Sequence, residues 1–315
     1  MSVLVAGELN ADLILQNARF FPTPGRETIV ENMSLALGSA SAICAAGLAK
    51  LGHRVGFVSK VGDDAWGNFC KRQLTSRGVD TSRVETDSAL QTGLTVSITS
   101  TDDRALVTYL GAMTALEQED VKDEDLRSYR HLHVSSFFLQ RGLRAGLKQL
   151  FARATKLGLS TSLDPGFDPE EKWGDDLRDV LANVDIFLPN EVELAAITGL
   201  HDRMQALRSL QNGRTIVIAK LGAEGSMTVQ NDRPVLIPGF VVKAIDTTGA
   251  GDSFNAGFLH SWLEKKPIVD AMRFASACGA LSTMALGGTA GQPTADEASA
   301  FLRNAHTNAG SDFNR

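Results

Sequence analysis

Apolar residues along this chain fall into short unbroken runs separated by longer amphipathic stretches. Val3-Leu4-Val5-Ala6, Val55-Gly56-Phe57-Val58, Leu132-His133-Val134, Ile186-Phe187-Leu188 and Thr215-Ile216-Val217-Ile218-Ala219 are too short for buried helices and too continuous for half-exposed strands. Such runs predict parallel strands buried on both faces. Between them lie helical patterns. Ser39 to Gly52 is small, apolar and closed by a glycine C-cap, and Asp63-Asp64-Ala65 opens another helix. Regular alternation of strand and helix predicts an α/β fold with a mainly parallel sheet and helices on both faces.

Two stretches break this rhythm. From Leu13 to Leu37 the pattern is strand-like with turn residues, Phe20-Phe21-Pro22-Thr23-Pro24-Gly25 and then Glu27-Thr28-Ile29-Val30. Thr92 to Ser100 and Ala105 to Leu110 flank the turn Thr101-Asp102-Asp103-Arg104 and read as a hairpin. We expect a small separate sheet from 13–37 and 91–111, beside an α/β core of 1–12, 38–90 and 112–315. Such a sheet, carrying Phe20, Phe21, Leu94 and Ile98 and exposed edges, needs cover. A second copy of the same sheet supplies it, so a two-fold homodimer is expected. Only the tail from Asn304 to Arg315 reads as loosely held.

Composition narrows the class. With 43% hydrophobic and 22% charged residues the chain is an ordinary globular one, and its 315 residues suit one large domain with an elaboration. A net charge of −6 argues against a nucleic-acid binder, which needs a basic face. Cys44, Cys70 and Cys278 have no C-x-x-C spacing, so neither a disulfide framework nor a zinc site is implied. No basic leader and no apolar run of about 18 residues is present, so neither a signal peptide nor a membrane span is expected and the cytoplasm is the default.

The candidate chemistry centres on Asp246-Thr247-Thr248-Gly249-Ala250-Gly251-Asp252-Ser253-Phe254-Asn255-Ala256-Gly257. Gly249, Ala250 and Gly251 leave backbone N–H groups open at a probable helix start, where the partial positive charge favours an anion such as a terminal phosphate. Asp252 beside that hole is placed to accept a proton from a hydroxyl attacking phosphorus. The blander reading is a glycine-rich turn with Asp252 capping a helix. Asp12, just past the first strand, is by position either a ligand group or a solvated turn residue. Asn190 and Glu193 form an N-x-x-E pair that suits Mg²⁺ through water, and equally suits a helix cap with a first-turn glutamate. No G-x-x-x-x-G-K-[ST] loop is present, and Gly7-Glu8-Leu9 does not open a G-x-G-x-x-G fingerprint. His131 and His133 alternate along a strand and read as structural.

The 246–257 segment resembles the C-terminal signature of the ribokinase-like (PfkB-type) carbohydrate kinases, D-T-T-G-A-G-D-x-F, and the resemblance covers Val3 to about Gly288. It implies a three-layer α/β/α core with a β-lid closing over the substrate, and ATP-dependent phosphorylation of a hydroxyl on a small sugar or sugar acid. By the same resemblance Asp252 is the base and Gly249 to Gly251 hold the transferring phosphate. Asp12 falls in the family's sugar-binding G-x-x-x-x-D segment, and Asn190 with Glu193 in its magnesium–phosphate motif. Ala219 to Gly225 is similar to the nucleotide loop, with Lys220 near the phosphates and Gly222 and Gly225 where backbone nears the ligand. Residues 274–288 correspond to the adenine wall. Asp246, Thr248 and carbonyls of 283–288 resemble a monovalent-cation loop that takes K⁺.

Departures from the family pattern bear on the acceptor. Gly38-Ser39 stands where many members have two glycines, and the sugar-binding asparagine four residues later is Ile43. A second common asparagine is replaced by Met113, and Asp164-Pro165-Gly166-Phe167-Asp168 lacks the asparagine and arginine of the family's D-x-N-x-R segment. Fructose or 2-keto-3-deoxygluconate is therefore expected over ribose. A nucleoside kinase of the same superfamily and a catalytically silent sugar-binding regulator are the alternatives.

Overall fold

The computed structural model describes residues 1–100, 104–174 and 176–304. Its strands are β1 (Ser2–Ala6), β2 (Asn10–Gln16), β3 (Asn32–Leu37), β4 (Arg54–Gly62), β5 (Asp80–Asp87), β6 (Gly93–Thr99), β7 (Arg104–Tyr109), β8 (His131–Val134), β9 (Ser160–Leu163), β10 (Ile186–Phe187), β11 (Ile216–Val217), β12 (Ala219–Lys220), β13 (Gly225–Gln230) and β14 (Arg233–Pro238). Seven of them form the central sheet in the order β11-β10-β9-β8-β1-β4-β5, with every pairing parallel. The apolar runs read from the sequence form β1, β4, β8, β10 and, at one edge, β11.

Alternation along β1 shows how one strand serves two cores. Leu4 and Ala6 point into one apolar cluster, shared with Leu143, Leu147 and Phe151 of the helix Arg141–Lys156. Val3 and Val5 point into the other, with Cys44 and Leu48 of the helix Ala40–Lys50 and Phe258 of the helix Ala250–Leu263. Helices therefore cover both faces and the expected three-layer arrangement is met. His131 and His133 are fully buried in β8. Ser160 and Ser162 bond the ring nitrogens of His131, and Ser162 and Ser135 those of His133, as a structural role requires.

The small sheet has the order β3-β2-β6-β7. It starts at Asn10, so Asp12 lies on its strand β2 and not in the loop before it. Glu27 to Val30 is not a strand: β2 ends at Gln16, whose last partner is Asn32, and the ladder has no place for residues further back. The turn residues 101–103 and the tail 305–315 lie outside the described residues. Partners directly opposite share a face. One face thus gathers Leu13, Leu15, Met33, Leu35, Leu94, Val96, Val107 and Tyr109, and the other Asp12, Ser34, Thr95, Ser97 and Thr108. Among the described residues no helix is long and apolar enough to cross a membrane.

Candidate active site

The loop after Asp246 turns into a helix through Gly249, which holds φ at +72°. A β-carbon there would lie 2.7 Å from Gly288 Cα and 3.0 Å from Ile43 Cγ2, so only glycine satisfies both the left-handed backbone and the close approach. No side chain caps this N-terminus. Asp252 is the third residue of the helix, not its cap, which removes the bland reading of the motif. Backbone N–H groups are left open at Gly249 to Gly251, where the sequence reading expects an anion hole.

Lys220 lies under that hole. A β-carbon on Gly251 would sit 3.5 Å from its Nζ. The ammonium is held by Asp164 Oδ2 at 2.5 Å and reaches Asn255 Oδ1 at 3.4 Å, while Asn255 Nδ2 donates to the same carboxylate. Burial opposes the charged form of Lys220, but Asp164 and Glu193 outweigh it and hold its pKa above the usual lysine range. Asp164 shows the converse. Burial pushes it up, yet the Lys220 charge and hydrogen bonds leave it below the usual carboxylate range. Asp252 is compensated less. Burial, and after it the Asp164 charge, push its carboxyl up to about 7, with Lys220 pulling the other way.

Asn190 and Glu193 form a capping box. Glu193 N donates to Asn190 Oδ1 at 2.8 Å, and Asn190 N donates to Glu193 Oε2 at 2.7 Å. Asn190 also bridges Lys220 across the crest of the sheet, so the pair stands beside the anion hole. Burial and the Asp164 charge push Glu193 up to about 7. With these oxygens already engaged, the pair fits a metal met through water and not an inner coordination shell. Gly222, at φ +57°, and Gly225, at φ +108°, shape the turn after Lys220. A β-carbon on Gly225 would overlap Ile237 O at 2.0 Å.

A second group forms at the base of the small sheet. Gly38 has no room for a β-carbon, which would fall 2.1 Å from Asp12 Oδ1. Asn10 Nδ2 donates to Asp12 Oδ1 at 3.1 Å and to Thr95 Oγ1 at 3.2 Å. Ser39 adopts φ +70°, a conformation that costs a non-glycine residue about 1 to 3 kcal/mol. Its hydroxyl accepts from Asn10 N at 2.8 Å and donates to Asn10 Oδ1, holding it there. Ile43 is buried against Gly288 and Gly249, an apolar wall between this group and the anion hole. Asp246 takes Thr248 N at 2.9 Å and Gly287 N at 2.8 Å, which ties the loop of the signature to the loop 283–288.

Sequence reasoning did not single out Asp164, Asn255 or Glu8. Asn255 is three residues beyond Asp252 and so shares its helix face, and Asp164 follows β9 directly while Glu8 follows β1 after Gly7, at the crest where α/β sheets bind ligands. Glu8 is buried and bonded by Ser41 N at 3.1 Å and Ser136 Oγ at 2.8 Å, and burial pushes its pKa up.

The model of the pfkB family carbohydrate kinases matches residues 1–295. The chain is 35% identical to the ATP-dependent ribose-1-phosphate kinase of Halopiger xanaduensis over 303 residues, 95% of this chain and 97% of that one. It is 31% identical to the ribokinase of Haemophilus influenzae over 314 residues, 96% of this chain and 99% of that one. Among solved structures, the ribokinase of Arabidopsis thaliana complexed with ribose and ATP matches at 26% identity with a TM-score of 0.82, covering 96% of this chain and 98% of that one.

A carboxyl whose folded pKa exceeds its unfolded value favours folding at low pH, and that contribution is lost as pH rises through the folded value. For Asp252 the window runs from the ordinary carboxylate range up to about 7. Asp252→Asn should therefore melt close to the parent at pH 4 and above it at pH 8. Calorimetry that finds the same difference at both pH values contradicts the raised pKa.

Proposed function

This chain belongs to the pfkB family of carbohydrate kinases, and from that premise we propose that it moves the γ-phosphoryl group of ATP to a hydroxyl of a small sugar or sugar acid. The observation that carries this reading is the meeting of Gly251, Lys220 and Asp252 at one helix N-terminus. The backbone at Gly249, Ala250 and Gly251 receives the transferring phosphoryl group, with Lys220 beneath it to offset the charge. The acceptor oxygen bonds to phosphorus as the bond to ADP breaks, and its proton passes to Asp252. A base poised at about 7 is well matched to this transfer. Asn190 and Glu193 would hold a Mg²⁺ ion, met through water, and such an ion would supply positive charge to offset the phosphates of ATP.

Asp12 orients the acceptor from the small sheet, which acts as a lid, and Gly38 and Ser39 shape its floor. Ile43 offers no hydrogen bond where an amide would grip a pentose, so fructose or a keto-sugar acid of the 2-keto-3-deoxygluconate type is favoured over ribose. ATP as donor and three free thiols suit the cytoplasm. The exposed apolar face of the small sheet, with Met33, Leu35, Val107 and Tyr109, suits burial against its own copy in a two-fold dimer. The tie between Asp246 and Gly287 and the carbonyls around it suit K⁺.

Asp252→Asn should keep nucleotide binding and lose about 10²- to 10⁴-fold in kcat. Near-parental turnover in a coupled ADP-release assay sinks the assignment. In that assay, run across sugars, sugar acids, sugar phosphates and nucleosides, strong activity on ribose would overturn the weight placed on Ile43.

K⁺ should raise turnover over Na⁺ at equal ionic strength, and equal rates refute the cation loop. Light scattering should give a dimer mass, shifted toward monomer by Val107→Lys, and a monomeric parent protein rules the lid interface out.

A further inference from the structure

A cavity of about 560 Å³ opens between the helices Ala40–Lys50 and Ala65–Thr75 and the loop that follows Gly288. That volume lies within the range of sites for whole small molecules. Its walls include Lys50, Gln73, Ser76, Arg77, Thr289 and Gln292, and no carboxylate. Both charged residues are cations: Lys50 is exposed and acts on Glu297, whereas Arg77 is half-buried.

No carboxylate pairs with Arg77 among the described residues, and its acceptors are all neutral. Nη1 donates to Gln73 O at 2.8 Å and to Gln73 Oε1 at 2.6 Å, and Nη2 donates to Thr289 Oγ1 at 3.0 Å. Burial pulls its pKa down with no charge opposing that pull. The bond to Gln73 O closes the end of the helix Ala65–Thr75, an ordinary use of an arginine there. Capping leaves the rest of the fork unexplained. The guanidinium carries more N–H groups than these contacts use, and Nε–H has no acceptor among the described residues.

Gln292 has the opposite need. It is only 3% exposed, and its Nε2 is spent on Ile43 O at 2.9 Å and Ser253 Oγ at 3.1 Å. The residue lines the cavity, and its Oε1 accepts no hydrogen bond from any described residue. A guest that satisfies both side chains brings a negative charge to Arg77 and a hydroxyl to Gln292. The same glutamine joins the cavity to the site. Ser253 follows Asp252, Ile43 packs on Gly249 and Gly288, and Thr289 follows Gly288. None of the residues given a role in phosphoryl transfer lines the cavity. We propose that it is an effector site, apart from the acceptor's, for a small hydroxylated anion, a sugar phosphate or a hydroxy-carboxylate, held by Arg77 and Gln292.

The test is calorimetric titration of the full chain with glucose 6-phosphate, gluconate and, as the uncharged control, glucose. At least one anion should bind about tenfold or more tightly than glucose, and the tighter of the two tells phosphate from carboxylate. Arg77→Met should weaken that binding by about 10- to 100-fold. Ser76→Glu, at an exposed position of the wall, offers Arg77 a carboxylate from the chain itself and should weaken binding to a similar extent, which decides the matter if Arg77→Met fails to fold. Asp12→Ala should leave it unchanged. Binding of neither anion, binding indifferent to Arg77→Met or Ser76→Glu, or binding lost in Asp12→Ala overturns the site. In the ADP-release assay the bound anion should shift the KM of an uncharged acceptor by about fivefold in the parent and not in Ser76→Glu. Binding without that shift overturns the effector role. A chain that phosphorylates no acceptor fails the kinase reading separately, and the titrations alone then uphold or reject the site.

Discussion

One buried cation holds this site together. Lys220 lies among Asp164, Glu193 and Asp252, and its ammonium is the positive charge that acts on each of these carboxyls. Breaking a buried pair by removing one partner typically costs about 3 to 5 kcal/mol, because the charge left behind has no water to turn to. Asp164 is therefore bound to Lys220 as tightly by what its loss would leave as by the contact itself. The pair sits where the signature loop, β9 and β12 converge, so three distant pieces of sequence must arrive together for the charge to be compensated.

That compensation is partial, and the shortfall falls on Asp252. Asp164 takes the larger share of the lysine, keeps its charge, and by keeping it raises the proton affinity of Asp252. Two carboxyls of the same chemistry are thus driven apart, one held charged and one raised to about 7 by burial and then by the other's charge. The folded chain carries an unfavourable charge at neutral pH as a consequence. Strain at Ser39 is of the same kind, a local cost held in place by Asn10 beside Asp12.

The fold was legible because burial on both faces writes itself as nearly continuous apolar runs in most of the central strands. The uncapped helix start was legible because Gly249 and Gly251 stand together in the sequence, the first in a left-handed conformation that favours glycine. Asp164 and Asn255 were not, since a lone carboxylate after a strand and an amide inside a helix are common, and what gives them meaning is a lysine more than thirty residues from either. Glu27 to Val30 misled for a different reason. Its β-branched residues fit a strand locally, but whether a strand forms depends on a partner, and β2 had already ended.

The small sheet shows how one period-two pattern separates two tasks. In β2 the odd positions Leu13 and Leu15 and the even position Asp12 point opposite ways, so a slip of one residue would exchange the apolar face for the polar one. Gly38 leaves the room that this register needs, because a β-carbon there would meet the Asp12 carboxylate. The sheet can therefore present Asp12, Asn10 and Thr95 to one side while its other side remains apolar and open to a second surface. On that other side Met33, Leu35, Val107 and Tyr109 are exposed, so one alternating pattern gives the sheet a polar face tied to its base and an apolar face turned outward.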